Sequence, residues 1–301
     1  MPGNIAFFSG TSNPELAKQV AGKLGLRQER LVLKKFSDNE TYCRLESEVR
    51  GKTVVLLQSL NDPANDYFFE LCLMANAAKN NGAKKVVAVI PYLGYARQDR
   101  VTKKGEPVSI EFMAKALKAA GIDSVVSMDV HSKMASRFFG KSLKQVFAFP
   151  ALMRYFKKKK LKQLVVVSPD KGALKNSKKY AKALRAGFAA IEKVRSRAEK
   201  IDEMTLKGNV EGKNVLMVDD LIGTGGTIVK AAELLKRKGA ENVFVGTTHG
   251  VFAGEALKKL GKAPVKELIV CNSIGQHGKL KKMRVVSVAE ELAHAVKRVL
   301  N

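Results

Sequence analysis

Val215-Leu216-Met217-Val218-Asp219-Asp220-Leu221-Ile222-Gly223-Thr224-Gly225-Gly226-Thr227 decides how the rest of the chain is read. Four apolar residues in a row, with no alternation, predict a strand buried on both faces, as in parallel sheets. Two acids follow, then a Gly/Thr loop, then a helical pattern over 228–238. Glycines let backbone N–H groups converge on an anion. Threonine hydroxyls add donors, and a helix N-terminus adds the positive end of its dipole. The stretch therefore predicts a phosphate cradle at the carboxyl end of a parallel strand, where α/β sheets bind ligands. It is not a GxGxxG fingerprint, and no Lys-Ser/Thr follows the glycines as in a P-loop. The competing reading is a tight turn with incidental acids, but paired carboxylates at a buried strand end are costly without a ligand.

The same grammar recurs along the chain. Short apolar runs at 54–57, 86–90, 125–128, 164–167 and 243–245 alternate with helical patterns such as 68–80 and 110–120. The fold class is α/β, doubly wound, with mostly parallel sheets flanked by helices. Residues 50–60 (RGKTVVLLQSL) match 211–221 (EGKNVLMVDDL), and 81–91 (NGAKKVVAVIP) match 238–248 (KGAENVFVGTT). The offsets, 161 and 157 residues, are nearly equal, which indicates two copies of one α/β domain. The expected domains are 1–143 and 144–301, with the last helix packing back on the first. The copies differ after the matched strand, where the first has Gln58-Ser59 and the second Asp219-Asp220. The carboxylate site is expected in the second copy.

Composition narrows the class. With 301 residues, 46% of them hydrophobic, the chain has enough for roughly two cores. No apolar run is long enough to cross a bilayer, and the N-terminal residues lack the pattern of a secretory signal. Cys43, Cys72 and Cys271 are odd in number and far apart, so neither a disulfide framework nor a CxxC zinc site is expected, and a cytoplasmic setting is. The net charge of +26 suits anionic ligands. The lysines are spread along the chain, 157–160 reads as the solvated end of a helix, and aromatics are only 7%. Nucleic-acid binding is therefore kept only as a weak alternative.

Asp219-Asp220 followed by Thr224-Gly225-Gly226-Thr227 resembles the ribose 5-phosphate loop of phosphoribosyltransferase-fold proteins. Phe36-Ser37-Asp38-Asn39-Glu40, Tyr95-Ala96-Arg97-Gln98-Asp99-Arg100, Asp129-Val130-His131 and Ser168-Pro169-Asp170 occur in the order found in the ribose-phosphate pyrophosphokinase family. The resemblance runs from about residue 5 to the C-terminus. It implies two tandem phosphoribosyltransferase-like domains, in agreement with the repeat. It also implies transfer of the β,γ-diphosphoryl group of ATP to the C1 hydroxyl of ribose 5-phosphate, with Mg²⁺, giving phosphoribosyl pyrophosphate (PRPP) and AMP.

Residue by residue, the resemblance implies that Phe36 stacks on adenine while Asp38 and Glu40 read the base edge, often across a subunit contact, so at least a homodimer is expected. If 36–40 were extended, all three would share one side. Arg97, Gln98 and Asp99 correspond to ATP contacts. His131 and Asp170 correspond to metal-associated residues, and Asp129 and His131, two apart at a strand end, would face the same way. Asp219, Asp220, Gly223, Thr224, Gly225, Gly226 and Thr227 correspond to the ribose 5-phosphate site. Lys193 and Arg195 correspond to cations that clamp the transferring phosphates. They follow an apolar run at 188–191 and precede a polar stretch, 196–209, that reads as a mobile lid. His249, His277 and His294 are read as structural.

Two departures stand out. Gly223 replaces an acid found in many family members, which puts one ribose contact in question. Glu48 stands where many bacterial members have a serine of a regulatory phosphate/ADP site, although Arg50 is present; an acid there repels phosphate. A PRPP-consuming phosphoribosyltransferase would need only one such domain and no 36–40 or 97–99 segment. A non-catalytic subunit or basic binding protein is the alternative that better explains the charge.

Overall fold

A computed structural model describes residues 4–132, 134–195, 202–275, 278 and 280–300; for 193–195 and 202–203 it describes the backbone alone. Two compact units divide the chain. Unit one comprises Met1–Ala148, Ser273–Gly275 and Ser287–Asn301; unit two comprises Phe149–Asn272 and Gln276–Val286.

Unit one is built on a five-stranded parallel sheet. Its strands, in spatial order, are β1 (Ile5–Ser9), β4 (Thr53–Leu57), β5 (Lys85–Ile90), β6 (Ser124–Met128) and β7 (Leu143–Val146). Phe7, Phe8, Val54–Leu57 and Val86–Ile90 are fully buried, as strands covered by helices on both faces require. An antiparallel hairpin, β2 (Leu31–Lys35) and β3 (Thr41–Leu45), stands outside that sheet. Helix α1 (Pro14–Leu24) shows why its ends fall where they do. The Asn13 side chain accepts from Leu16 N–H at 3.2 Å, Pro14 occupies the first turn, and Gly25 closes the helix at φ 70°. The unit's other helices are α2 (Ala64–Asn80), α3 (Ser109–Ala119), α4 (Ala135–Phe139) and α9 (Ala289–Leu300).

Unit two repeats the plan. Its parallel core is β8 (Leu164–Ser168), β11 (Asn214–Ile222), β12 (Asn242–Gly250), β13 (Glu267–Cys271) and β14 (Met283–Val286). A hairpin of β9 (Gly187–Arg195) and β10 (Asp202–Lys207) extends the sheet beyond β8. The 161-residue offset carries the first residue of β4, Thr53, onto the first of β11, Asn214; the 157-residue offset carries Lys85 of β5 onto Asn242 of β12. Helices α5 (Phe149–Lys159), α6 (Leu174–Leu184), α7 (Gly226–Arg237) and α8 (Ala256–Lys262) complete the unit. Among the described residues, no helix is long and apolar enough to cross a membrane.

The expected strands and helices are present, and the differences lie at their ends. β11 does not stop at Val218 but runs through Asp219 and Asp220 to Ile222, because β12 supplies partners as far as Gly250. α7 starts at Gly226, not near Ile228. The polar stretch after Arg195 is not all loop: Asp202–Lys207 pairs antiparallel with β9, and Met204 and Leu206 pack on the core of unit two. Residues 196–201 of the expected lid, and His277, lie outside the described residues.

Candidate active site

In unit two the candidate residues collect at the carboxyl ends of β8 and β11. Asp219 and Asp220 are half-buried, and Asp220 N–H donates back to Asp219 Oδ1 at 2.9 Å. Burial first, then the charges of Asp220 and Asp170, push the Asp219 carboxyl well above the usual carboxylate range. Asp170 follows β8 and is held by a local turn: its Oδ1 accepts from Ala173 N–H at 3.0 Å, and its carbonyl accepts from Ser168 Oγ at 2.8 Å. Three carboxylates therefore influence one another, and their mutual repulsion is relieved by a cation or by hydroxyl donors.

Beside them the loop turns into α7. Gly225 sits at φ 75°, where a side chain would be strained, and a Cβ would lie 3.2 Å from Leu260 Cγ. No side chain caps α7, so its first-turn N–H groups remain available to an anion. Phe252 N–H and Ala253 N–H donate to the carbonyls of Ile222 and Gly223, at 3.1 Å each, and fix the loop from behind. Thr224 is exposed; Gly223, Gly226 and Thr227 are half-buried.

Lys193 and Arg195 lie on the last turnless stretch of β9, with Met204 and Asp202 of β10 as register partners.

Unit one holds the other expected residues. Phe36, Asp38 and Glu40 are exposed and close the β2–β3 hairpin. The segment is not extended: Phe36 N–H donates to Glu40 O at 2.8 Å, Asn39 sits at φ 68°, and Glu40 N–H is held by Asp38 Oδ1 at 3.2 Å. A turn, not strand alternation, sets where these side chains go. Phe36 meets Tyr42 edge to face at 5.6 Å, which steadies the ring.

Arg97 is exposed, whereas Gln98 and Asp99 are engaged within the unit. Gln98 accepts from the Ser109 hydroxyl. Asp99 accepts from Arg100 Nε at 2.7 Å and Ser132 Oγ at 2.9 Å, and the Arg100 contact holds its carboxyl below the usual range. His131 is exposed, next to that Ser132. Asp129 and His131 do not share a strand: β6 ends at Met128, Asp129 turns to φ 36°, and its Oδ2 accepts from Ala148 N–H at 3.0 Å.

The strand end of unit one that matches Asp219 is closed by protein. Gln58 is fully buried; its Oε1 accepts from Ser12 N–H at 3.1 Å and its Nε2 donates to Glu70 at 2.6 Å. A Cβ at Gly10 would lie 2.4 Å from Gln58 Oε1, so the glycine exists to admit that side chain. Thr11 N–H and its hydroxyl also donate to Glu70. Ser59 N–H donates to Ser12 Oγ at 2.7 Å.

Sequence reasoning missed three participants. Ser132 joins the 97–99 segment to the His131 loop. Glu70, on α2, looks like an ordinary helix-surface acid. Thr247, the register partner of Asp219, is fully buried with no partner for its Oγ1, yet in sequence it is one more small residue inside β12. Among the described residues, no three His, Cys, Asp or Glu side chains form a ligand set for a metal ion.

Comparison with known proteins gives the family and the overall fold. Residues 5–121 match the N-terminal domain of ribose phosphate pyrophosphokinase, and 195–301 match the phosphoribosyl synthetase-associated domain. The chain is 39% identical to the ribose-phosphate pyrophosphokinase of Fusobacterium nucleatum over 99% of its own length and 96% of that protein. It is 38% identical to that of Bacillus subtilis, over 98% and 94%. The phosphoribosylpyrophosphate synthetase of Mycobacterium smegmatis superposes with a TM-score of 0.91 at 34% identity, covering 99% of both chains.

Proposed function

The chain belongs to the ribose-phosphate pyrophosphokinase family, and from that premise we propose how its residues divide the work. It is a ribose-phosphate diphosphokinase: it moves the diphosphoryl group of ATP to the C1 hydroxyl of ribose 5-phosphate, and PRPP and AMP leave. The observation that carries the assignment of roles is the uncapped start of α7 beside Asp219 and Asp220.

In this proposal, the backbone of 223–227 and the hydroxyls of Thr224 and Thr227 take the 5-phosphate, and Asp219 and Asp220 orient the ribose hydroxyls. Gly223 offers no side chain to the ribose but lets the backbone come close. Phe36 stacks on adenine, Asp38 and Glu40 take the base edge, and Arg97 takes phosphate. Gln98 and Asp99 act from within the fold, holding the Arg97 segment to α3 and to Ser132. Lys193 and Arg195 stabilise charge on the transferring group, where positioning and positive charge do most of the work.

The family generally uses Mg²⁺. Asp170 and the Asp219 pair are hard oxygen donors, and His131 is the further candidate. Mg²⁺ keeps several waters and relies on one or two carboxylates plus substrate phosphates, so it does not need a full protein cage. When bound, it neutralises charge on the phosphate oxygens. At least a homodimer and a cytoplasmic setting belong to the same proposal; half-exposed Phe36 leaves room for a base or a second subunit.

Incubation with ATP, ribose 5-phosphate and Mg²⁺ tests the reaction. AMP and PRPP are expected in equal amounts. ADP as product would overturn it.

A further inference from the structure

Basic charge is dense in one continuous stretch of the chain, and a helix within it lines the charge up on one face. Residues 149–187, all in unit two, carry twelve Lys and Arg against one acid, Asp170. Helix α6 is the clearest case. It buries Ser177, Tyr180 and Ala181 and exposes Lys175, Lys178, Lys179 and Lys182. The spacing i, i+3, i+4, i+7 is one helix face, so the four ammonium groups form a stripe repeating about every 5.4 Å of rise.

That stripe has no acid on its own helix. α6 contains neither Asp nor Glu, even in the first turn, where an acid would favour the dipole. α9 shows the ordinary arrangement, with Glu290 and Glu291 in its first turn and Lys297 and Arg298 in its last. A surface helix selected for stability intersperses acids at i+4, because like charges at that spacing repel.

Aromatic rings lie against the stripe. Phe188, on β9, is 36% exposed, and Lys178 Nζ stands 5.7 Å from its ring centre. Lys179 Nζ stands 3.9 Å from the Phe149 ring. A row of cations beside an accessible ring is the surface that takes single-stranded nucleic acid: the cations follow the phosphates and the ring accepts a base by stacking. An anionic membrane is a poorer match, because the apolar side of α6 is already buried and has nothing to insert. We infer that the α6 face of unit two binds single-stranded RNA without sequence preference, as a function separate from PRPP synthesis.

The test is fluorescence anisotropy of the full-length protein with a labelled oligouridylate. Four phosphate contacts predict binding that weakens about 50-fold between roughly 50 and 200 mM salt. Replacing Lys175, Lys178, Lys179 and Lys182 by Gln keeps helix propensity and should abolish most of the binding and of the salt slope. Replacing the same four by Arg should retain both, which separates lost charge from lost folding. The control replaces Lys18, Lys23, Lys115 and Lys118, exposed lysines of α1 and α3, by Gln. It removes the same charge and should leave RNA binding intact. Equal loss in the control would overturn the proposal, because net charge alone would then explain binding. So would intact RNA binding in the α6 Gln variant together with a lower kcat/KM for ATP or ribose 5-phosphate, which would make the stripe a substrate guide. Loss of binding to vesicles of phosphatidylcholine and phosphatidylglycerol, with RNA binding unchanged, would assign it to a membrane and overturn the proposal as well.

Discussion

Gln58 Nε2 donates to the Glu70 carboxylate at 2.6 Å, in the corner of unit one that matches the Asp219 corner of unit two. One copy has filled this corner with its own amide and acid; the other keeps it lined with carboxylates. That contact separates a corner closed by the protein's own groups from one lined by carboxylates.

Gln58→Ala should therefore act on stability. It leaves Glu70 and the Ser12 N–H short of a buried partner, at a cost of about 1–3 kcal/mol. A urea titration checks this. An unchanged midpoint would show that water replaces the amide without loss.

Lys193→Ala and Arg195→Ala should each lower kcat on the order of 10²–10³-fold, with KM for both substrates little altered, as the proposed role against charge that develops in the transition state requires. Arg195→Lys should recover little, since a lysine lacks the planar fork. Steady-state AMP formation measures it; a rise in KM at constant kcat would reassign them to ground-state binding.

Asp219 gives a pH prediction with a definite sign. Its carboxyl ionises at higher pH in the folded chain than in the unfolded one, because of burial and then Asp220 and Asp170. The folded state binds the extra proton, so stability falls as pH rises from the ordinary carboxylate range through the raised one. Asp219→Asn removes that loss while keeping an oxygen for the Asp220 N–H. In metal-free buffer the variant should melt a few degrees above the native chain on the alkaline side of this window, and together with it near pH ~4. Added Mg²⁺ should narrow the gap. A difference that stays constant with pH would count against the assignment.

Glu48 Oε1 accepts from Arg50 N–H at 2.8 Å, and both residues are exposed. The acid is tied to the Arg50 main chain, at the position where the family resemblance expects a serine of a regulatory anion site. The native enzyme should respond weakly to inorganic phosphate and to ADP, and Glu48→Ser should strengthen both responses. Dose–response curves of the two proteins decide it; ordinary regulation of the native enzyme would refute it.

The central strands were legible because Val, Leu and Met runs such as 215–218 carry one message, burial on both faces. Their ends were not. At Asp219–Ile222 the strand continues past two acids, because β12 supplies partners as far as Gly250, and paired acids before a Gly/Thr run read as loop. β10 was hidden for a related reason: among its described side chains only Met204 and Leu206 pack on the core, two apolar positions in a charged stretch. The site motifs were legible as residue types, but their local engagements were not. Nothing near Asp99 in sequence announces Ser132, and no periodicity tells that the hairpin turn, with Asn39 at φ 68°, decides where Phe36 points.

Helix α9 belongs to unit one: it packs on α1, buries Leu292 and Val296, and its Val299 carbonyl accepts from Lys85 Nζ at 2.8 Å. Unit two is thus spliced into unit one along the chain. During synthesis the earlier-made sheet must wait, with its α9-facing surface bare, until the whole of unit two has left the ribosome. A premature stop just before residue 287 would spare the loop of residues 223–227 and cripple the half of the protein that was translated first.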